Sequence, residues 1–123
     1  MNKLLLSVVI CCTWGAAGAM AFESVEERAA KEMAKYTQTG EFEKCVSYNM
    51  IEKTVILDDS NILFELKNDK YMLNTMKSEC KKLAFEKQFS YTVSNNKVCG
   101  KDIISTRRGV CSLSSFQILD KKL

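Results

Sequence analysis

The sequence contains no histidine and no proline, and both absences restrict what the protein can be. Histidine is the commonest general base and metal ligand, so its absence excludes Ser-His-Asp and Cys-His catalytic groups and His-based zinc sites within this chain. A redox-active thiol would also lack a histidine to lower its pKa. Proline at its usual frequency of about 5% would occur about six times in a chain of this length. Its absence removes one common way of protecting the exposed edges of a β-sheet.

The first 21 residues have the features of a cleavable secretory signal. Lys3 supplies a positive charge, residues 4–10 form an uncharged apolar run, and small residues follow as far as Ala19 and Ala21. Signal peptidase requires small side chains at those two positions, so cleavage after Ala21 is predicted. The protein is therefore expected to be periplasmic or secreted.

Two other fates of this segment are less favoured. An uncleaved membrane anchor would usually carry basic flanking residues, but Glu23 follows the segment directly. A lipidated Cys11 would normally follow a small residue, but Ile10 precedes it. No later segment is apolar enough to span a bilayer.

The exported chain is nearly neutral, which weakens the case for a polyanionic partner. Loss of Lys3 from 18 cationic residues leaves 17 against 15 acidic ones, a net charge of +2. The electrostatic field of so small a charge does not indicate nucleic acid or an anionic membrane as the binding partner. Its glycines are only Gly40, Gly100 and Gly109, from which no phosphate-binding loop can be built. No cofactor is expected.

Four cysteines remain after cleavage: Cys45, Cys80, Cys99 and Cys111. An even number in a small exported domain indicates two disulfides, for which three pairings exist. We favour Cys45–Cys80 with Cys99–Cys111, because the second pair would enclose a short polar segment that is otherwise loose. A zinc site is disfavoured, because no two of the cysteines form a C-x-x-C pair.

Residues 22–40 are predicted to form one amphipathic helix that ends at Gly40. Ser24 and Glu27 have the spacing of a capping box. Apolar residues recur at helical steps at Val25, Ala29, Met33 and Tyr36. Packing of this face against the protein's own sheet is favoured over docking to a partner.

After Gly40 the hydrophobic period changes to two, which is typical of β-strands. Strands are predicted within residues 46–57, 62–66, 71–75, 85–93, 98–105 and 113–119, with a turn at 58–61. The second has Ile62, Phe64 and Leu66 on its inner face, and the clearest, 85–93, alternates from Phe85 to Val93. The expected fold is mainly β: an antiparallel meander or partly closed small barrel of about six strands with one N-terminal amphipathic helix.

The domain organisation expected from this pattern has three parts. Residues 1–21 form the signal peptide, residues 22–44 the N-terminal helix and its connection, and residues 45–123 a disulfide-linked β domain.

Few residues stand out as candidates for chemistry. Arg107 and Arg108 lie between Cys99 and Cys111 and could bind an anion through their guanidinium groups. Asp58 and Asp59 are the most concentrated carboxylates, but Asp before Ser-Asn is typical of a turn. No catalytic residue and no metal ligand is therefore assigned.

The order of several short motifs resembles a known family. These are Cys45 opening a strand, the hairpin sequence LDDSNILF at 57–64, YMLNTM at 71–76 leading to Cys80, and Cys99-Gly100-x-Asp102-Ile103 followed by Cys111. Together they resemble a family of small exported proteobacterial proteins, four-cysteine β-rich envelope proteins known as a domain of unknown function. The resemblance covers residues 45–119 and implies a periplasmic or envelope location, but no activity.

The function favoured by the sequence is that of a non-enzymatic module that binds an unknown envelope protein or a small ligand. One alternative is an inhibitor of a hydrolase such as lysozyme, although lysozymes are generally basic and a chain at +2 lacks the complementary field. A histidine-free hydrolase using carboxylates such as Asp58, Asp59 or Asp102 is the other. The oligomeric state is left open.

Overall fold

The computed structural model describes residues 24–91, 93 and 95–122, so the predicted signal peptide lies outside the described residues. Helix α1 spans Val25–Met33, helix α2 spans Leu83–Glu86, and a 3-10 turn spans Tyr48–Met50. The strands are β1 (Tyr36–Glu43), β2 (Cys45–Ser47), β3 (Ile51–Ile56), β4 (Asn61–Leu66), β5 (Lys70–Thr75), β6 (Ser90–Tyr91), β7 (Lys97–Cys99), β8 (Ile103–Thr106), β9 (Gly109–Ser112) and β10 (Phe116–Lys121).

Five of these strands form the main sheet, in the order β1-β10-β5-β4-β3, with every pair antiparallel. Strands β3, β4 and β5 are a meander, and β10 lies between β5 and β1. Two smaller sheets, β2-β7 and β6-β8-β9, complete the structure as described. The prediction of a mainly β, antiparallel fold is confirmed, but the main sheet is open and no barrel closes.

Strand β4 lies at the centre of the protein because both of its faces are covered. The predicted inner face is confirmed: Ile62 and Phe64 are fully buried and Leu66 nearly so. They pack under the two small sheets, where the ring of Phe64 meets Phe116 edge-on at 5.1 Å. Leu63 points to the opposite face and is equally buried. Burial on both faces explains why β4 is an almost continuous apolar run.

The opposite face of the main sheet is partly covered by α1. Ala29 and Met33 pack against a cluster that includes Tyr36, Leu63 and Leu119. The start of α1 is fixed by Ser24, whose hydroxyl accepts a hydrogen bond from the Glu27 amide at 3.1 Å. The main sheet is therefore the middle layer between a helix and two small sheets.

The prediction of one helix over residues 22–40 is wrong in its extent. Within the described residues α1 ends at Met33, and Tyr36 begins strand β1 opposite Lys121. Tyr36 is 6% exposed because pairing with β10 carries its ring onto the helix-side cluster. Tyr36 has helical spacing in the sequence, but it is a strand residue that packs in the same cluster as Ala29 and Met33. Gly40, at φ +79°, lies within an irregularity of β1 instead of ending a helix.

The predicted strand over residues 85–93 is also wrong. Residues 83–86 form α2, Phe85 is 82% exposed, and among the described residues of this range only Ser90–Tyr91 is paired as a strand. The Asp59 carboxylate accepts a hydrogen bond from the Ala84 amide at 2.8 Å, and Leu83 is fully buried. These tertiary contacts favour a helical turn where alternation alone predicted a strand.

Asn74 is a fully buried polar residue that joins the main sheet to the connection before β10. Its Nδ2 donates to the Ser114 carbonyl at 2.6 Å, and its Oδ1 accepts from the Ser114 amide at 2.9 Å. Gly100 approaches the same connection so closely that a Cβ there would lie 3.1 Å from the Ser114 carbonyl carbon. The side chain of Asn74 thus forms hydrogen bonds with both the N–H and the C=O of Ser114, which has no strand partner.

We expect Asn74→Ala to lower the free energy of unfolding by about 2 to 3 kcal/mol, because it removes both hydrogen bonds to the partly buried Ser114 backbone and leaves a space where the buried amide side chain was. Chemical denaturation monitored by circular dichroism measures the change. Asn49→Ala, at an exposed asparagine, is the matched control and should change the free energy by less than about 0.5 kcal/mol. Equal effects of the two substitutions would contradict the role given to Asn74.

The pKa of Tyr36 is raised to about 12, first by burial of its hydroxyl and then by the negative charges of Glu65 and Glu32. A phenol with a raised pKa in the folded state binds its proton more tightly there than in the unfolded chain. Its contribution to stability is complete below the unfolded pKa of about 10 and is lost as the pH rises towards 12.

Tyr36→Phe should therefore flatten the loss of stability between about pH 10 and pH 12, because phenylalanine cannot ionise. Urea denaturation at half-unit pH steps measures this slope. An unchanged slope in Tyr36→Phe would show that other groups govern alkaline unfolding.

Candidate functional site

The four predicted disulfide cysteines form two disulfides, Cys45–Cys99 and Cys80–Cys111. The prediction of two disulfides is confirmed, but the favoured pairing is wrong. Cys45 lies directly opposite Cys99 in the β2-β7 sheet, which brings the two together. Cys99 leads into a tight turn while Cys111 pairs with Ile104 in another sheet, so nearness in sequence does not bring these cysteines together.

The two disulfides cross one another along the chain. Cys45–Cys99 closes the two-stranded sheet, and Cys80–Cys111 ties β9 to the segment that follows β5. Cys80 is 1% exposed, and its amide donates to the Asp59 carbonyl at 2.7 Å. The three-stranded sheet is thus fixed to the turn between β3 and β4.

The candidate carboxylates serve as turn residues. Asp58 Oδ1 accepts hydrogen bonds from the amides of Ser60 and Asn61 at 2.8 and 2.7 Å, which confirms the predicted turn. Asp59 holds the start of α2, as described above. Asp102 Oδ2 accepts from the Cys99 amide at 2.7 Å. Each carboxylate is thus engaged by the backbone.

The two candidate arginines lie in the β8–β9 turn but face different surroundings. Arg108 forms an ion pair with Glu86, with 3.4 Å between Nε and Oε2. Arg107 lines an open groove of about 870 Å³. The two arginines therefore line different cavities, and Arg107 joins a larger cationic cluster.

This groove, which we call the basic groove, brings together four cationic side chains from separate segments: Arg28 of α1, Lys53 of β3, Lys87 after α2, and Arg107. Among the residues that the structure describes, no carboxylate is part of its lining. Hydroxyl groups and the partly buried Phe89 complete the walls. Such a surface suits an anionic ligand that also offers some apolar area.

None of these four cations forms an ion pair with any residue that the structure describes. Elsewhere Lys35 pairs with Glu32 at 2.9 Å, and this hydrogen bond and charge raise the pKa of Lys35. Glu65 lies opposite Lys53 in the β3-β4 register, but the two do not form an ion pair. Like charges gathered without partners repel one another and attract anions.

The basic groove follows the outer edge of β3. Thr54 and Ile56 face the small sheets, while Val55 faces α1, and all three line the groove. A smaller cavity of about 460 Å³ on the helix side shares Arg28, Val55 and Ile56 with it. The cationic surface therefore continues around the edge of the strand from one face of the sheet to the other.

A second cavity of about 780 Å³ lies beside both disulfides. Its lining carries the cations Lys44, Lys77 and Lys101 but also the carboxylate of Glu79. Residues of the edge strand β9 line it, and it differs from the basic groove in its mixed charge. We therefore take the basic groove as the candidate functional site.

Sequence reasoning identified Arg107 but missed Arg28, Lys53 and Lys87. The four cations of the groove lie in four distant segments, and no local spacing relates them. The one usable signal was Lys53 at the start of a Thr-Val-Ile run, which is typical of an edge strand guarded by lysine. Their convergence depends on the topology of the sheet.

Comparison of the chain with protein-family models, with curated proteins and with solved structures finds no match. Over residues 24–91, 93 and 95–122, no helix has the length and apolar character needed to cross a membrane. The same residues contain no group of three or more Cys, Asp or Glu side chains placed to hold a metal ion. The two disulfides are compatible with an extracellular or periplasmic protein.

Tryptic digestion of the non-reduced protein should yield one disulfide-linked species that joins the Cys45 peptide to the Cys99 peptide, and another that joins Cys80 to Cys111. Lysines or arginines separate all four cysteines, so mass spectrometry distinguishes the three pairings. Reduction should convert both species to single peptides. A peptide that links Cys99 to Cys111 would contradict the structure.

Proposed function

We propose that the protein is an exported, non-enzymatic binding module that captures an anionic partner in the basic groove. The observation that carries this proposal is the convergence of Arg28, Lys53, Lys87 and Arg107 without ion-pair partners among the described residues. Gathering four like charges disfavours the folded chain by itself. Their repulsion is relieved when an anion binds, which suits the cluster to binding.

Export is supported by the secretory features of residues 1–21 and by the two disulfides. Disulfides persist in oxidising compartments, where small domains commonly rely on them. The periplasm or the exterior is therefore the location we propose, and the partner would be encountered there.

A non-enzymatic role is supported by the state of the candidate carboxylates. Asp58, Asp59 and Asp102 each accept a hydrogen bond from a backbone amide, in addition to lying in turns. None of them lines the basic groove. A carboxylate that holds a turn is poorly placed to act as a general base in a cleft.

The basic groove disfavours the lysozyme-inhibitor alternative. A cationic hydrolase would be repelled by Arg28, Lys53, Lys87 and Arg107, whereas inhibitors of such enzymes present complementary negative charge. An acidic partner is the better electrostatic match.

Reversal of groove charges tests the proposal. The double variant Arg28→Glu with Arg107→Glu should weaken the binding of fluorescent hexaglutamate and of inorganic polyphosphate by about tenfold, because two attractive charges become repulsive. Fluorescence anisotropy of the oxidised protein at 150 mM NaCl measures both dissociation constants. Both side chains are exposed, so the fold should be retained.

The matched control is Lys70→Glu with Lys97→Glu, which changes the net charge equally at exposed positions outside the groove. It should weaken binding by less than about twofold, since exposed charges more than a Debye length from the ligand are largely screened. The proposal is contradicted if the wild-type protein binds neither polyanion, or if the two double variants lose affinity equally.

A further inference from the structure

We infer that the occupant of the basic groove is an extended acidic segment of another polypeptide, which binds by adding a strand to the free edge of β3. This inference rests on the proposed function and specifies it. Charge would attract the segment, and main-chain hydrogen bonds to β3 would hold it in register.

Strand β3 is an edge strand of the main sheet. In the described part of the chain its sole strand partner is β4. The Leu57 amide donates to the Asn61 carbonyl at 2.9 Å, so Leu57 and Asn61 are a hydrogen-bonded pair at the end of the hairpin. Because such pairs alternate with non-bonded ones, the peptide groups of Thr54 and Ile56 point away from β4. They point into the basic groove.

The two edges of the main sheet differ in their readiness to accept a strand. Strand β1, at the other edge, has a register irregularity between Gln38 and Phe42, with Gly40 at positive φ. Such bulges are a common way of blocking edge pairing. The β3-β4 register also shifts, between Ile51 and Lys53, but it is regular over the four residues from Lys53 to Ile56, which offer a short regular template.

The walls of the groove indicate which side chains an added strand would carry. Side chains alternate between the two faces of a strand. On the helix side they would meet Arg28, and on the other side they would meet Lys87 and Arg107. Because cations lie on both sides, acidic residues in either set of positions would be attracted, and a peptide with glutamate at alternate positions meets this condition. The partly buried Phe89 and Ile56 provide apolar contact for the stems of those side chains.

A second copy of this protein is a poor occupant of the same edge. Pairing of β3 with β3 of another copy would place two sets of Arg28, Lys53 and Arg107 along one groove. Like charges at such separations are repulsive, so self-association at this edge is disfavoured. An acidic partner removes that repulsion.

Amide hydrogen exchange tests the backbone part of this inference. In the free protein the amides of Thr54 and Ile56 should exchange at least about tenfold faster than the amide of Val55, which points to β4. Addition of an alternating Glu-Thr heptapeptide should slow exchange at Thr54 and Ile56 at least about tenfold, with little change at Val55. Saturating polyphosphate should give no such protection, because it supplies no strand.

A second measurement varies the ligand and leaves the protein unchanged. Methylation of the four central backbone nitrogens of the heptapeptide keeps its charge but removes the hydrogen-bond donors that pair with an edge. The methylated peptide should bind at least about tenfold more weakly. A matched Lys-Thr heptapeptide should not bind.

The outcomes separate strand addition from charge capture. Equal affinity of the plain and methylated acidic peptides, without protection of Thr54 and Ile56, would overturn strand addition and leave anionic capture in place. Loss of binding to both polyphosphate and acidic peptides would overturn the proposed function itself. Protein dimerisation with protected Thr54 and Ile56 in the absence of peptide would identify a second copy as the occupant and would also overturn this inference.

Discussion

The crossed pair of disulfides is the constraint on which the arrangement of the smaller sheets depends. No strand of those sheets is longer than four residues, so their ladders contribute few hydrogen bonds. Chain entropy alone suggests that each cross-link is worth on the order of 4 kcal/mol, because the linked cysteines lie 54 and 31 residues apart. Together with the Asn74 contact to Ser114, they hold a layer that packing alone would not fix.

The same constraint builds one wall of the basic groove. Arg107 lies in the turn between β8 and β9, and β9 carries Cys111. The link from Cys111 to Cys80 fixes this turn relative to the main sheet, and the Asp59 carboxylate fixes α2, which precedes Lys87. Structural residues outside the groove thus position the cations opposite the edge of β3.

The sequence predicted those features that depend on local patterns. Alternation identified β4 and its inner face, Asp-Asp-Ser-Asn identified a turn, and the even number of cysteines indicated two disulfides. Prediction from the sequence failed where tertiary contacts override the local hydrophobic pattern. Tyr36 has helical spacing but pairs with β10, and Phe85 alternates with polar residues but lies in a helical turn that Leu83 anchors.

The pairing of the cysteines and the composition of the groove were beyond local reasoning for a common physical reason. Cys45 meets Cys99, and Arg28 approaches Arg107, because the sheets bring together segments that are far apart in the chain. Hydrophobic periodicity tells which face of a strand is buried, but it does not tell which strands are neighbours. Of the candidate site, only Arg107 stood out beforehand, because it lies beside another arginine in a short segment between two cysteines.

The irregularity of β1 at Gly40 has a consequence for assembly. Growth of a fibre by edge pairing requires every molecule to offer two receptive edges, one to the molecule before it and one to the molecule after it. The edge at β3 is regular from Lys53 to Ile56, whereas the edge at β1 is interrupted around Gly40. A strand added at β3 would therefore not be matched by a second strand at β1, and the main sheet would not grow in both directions.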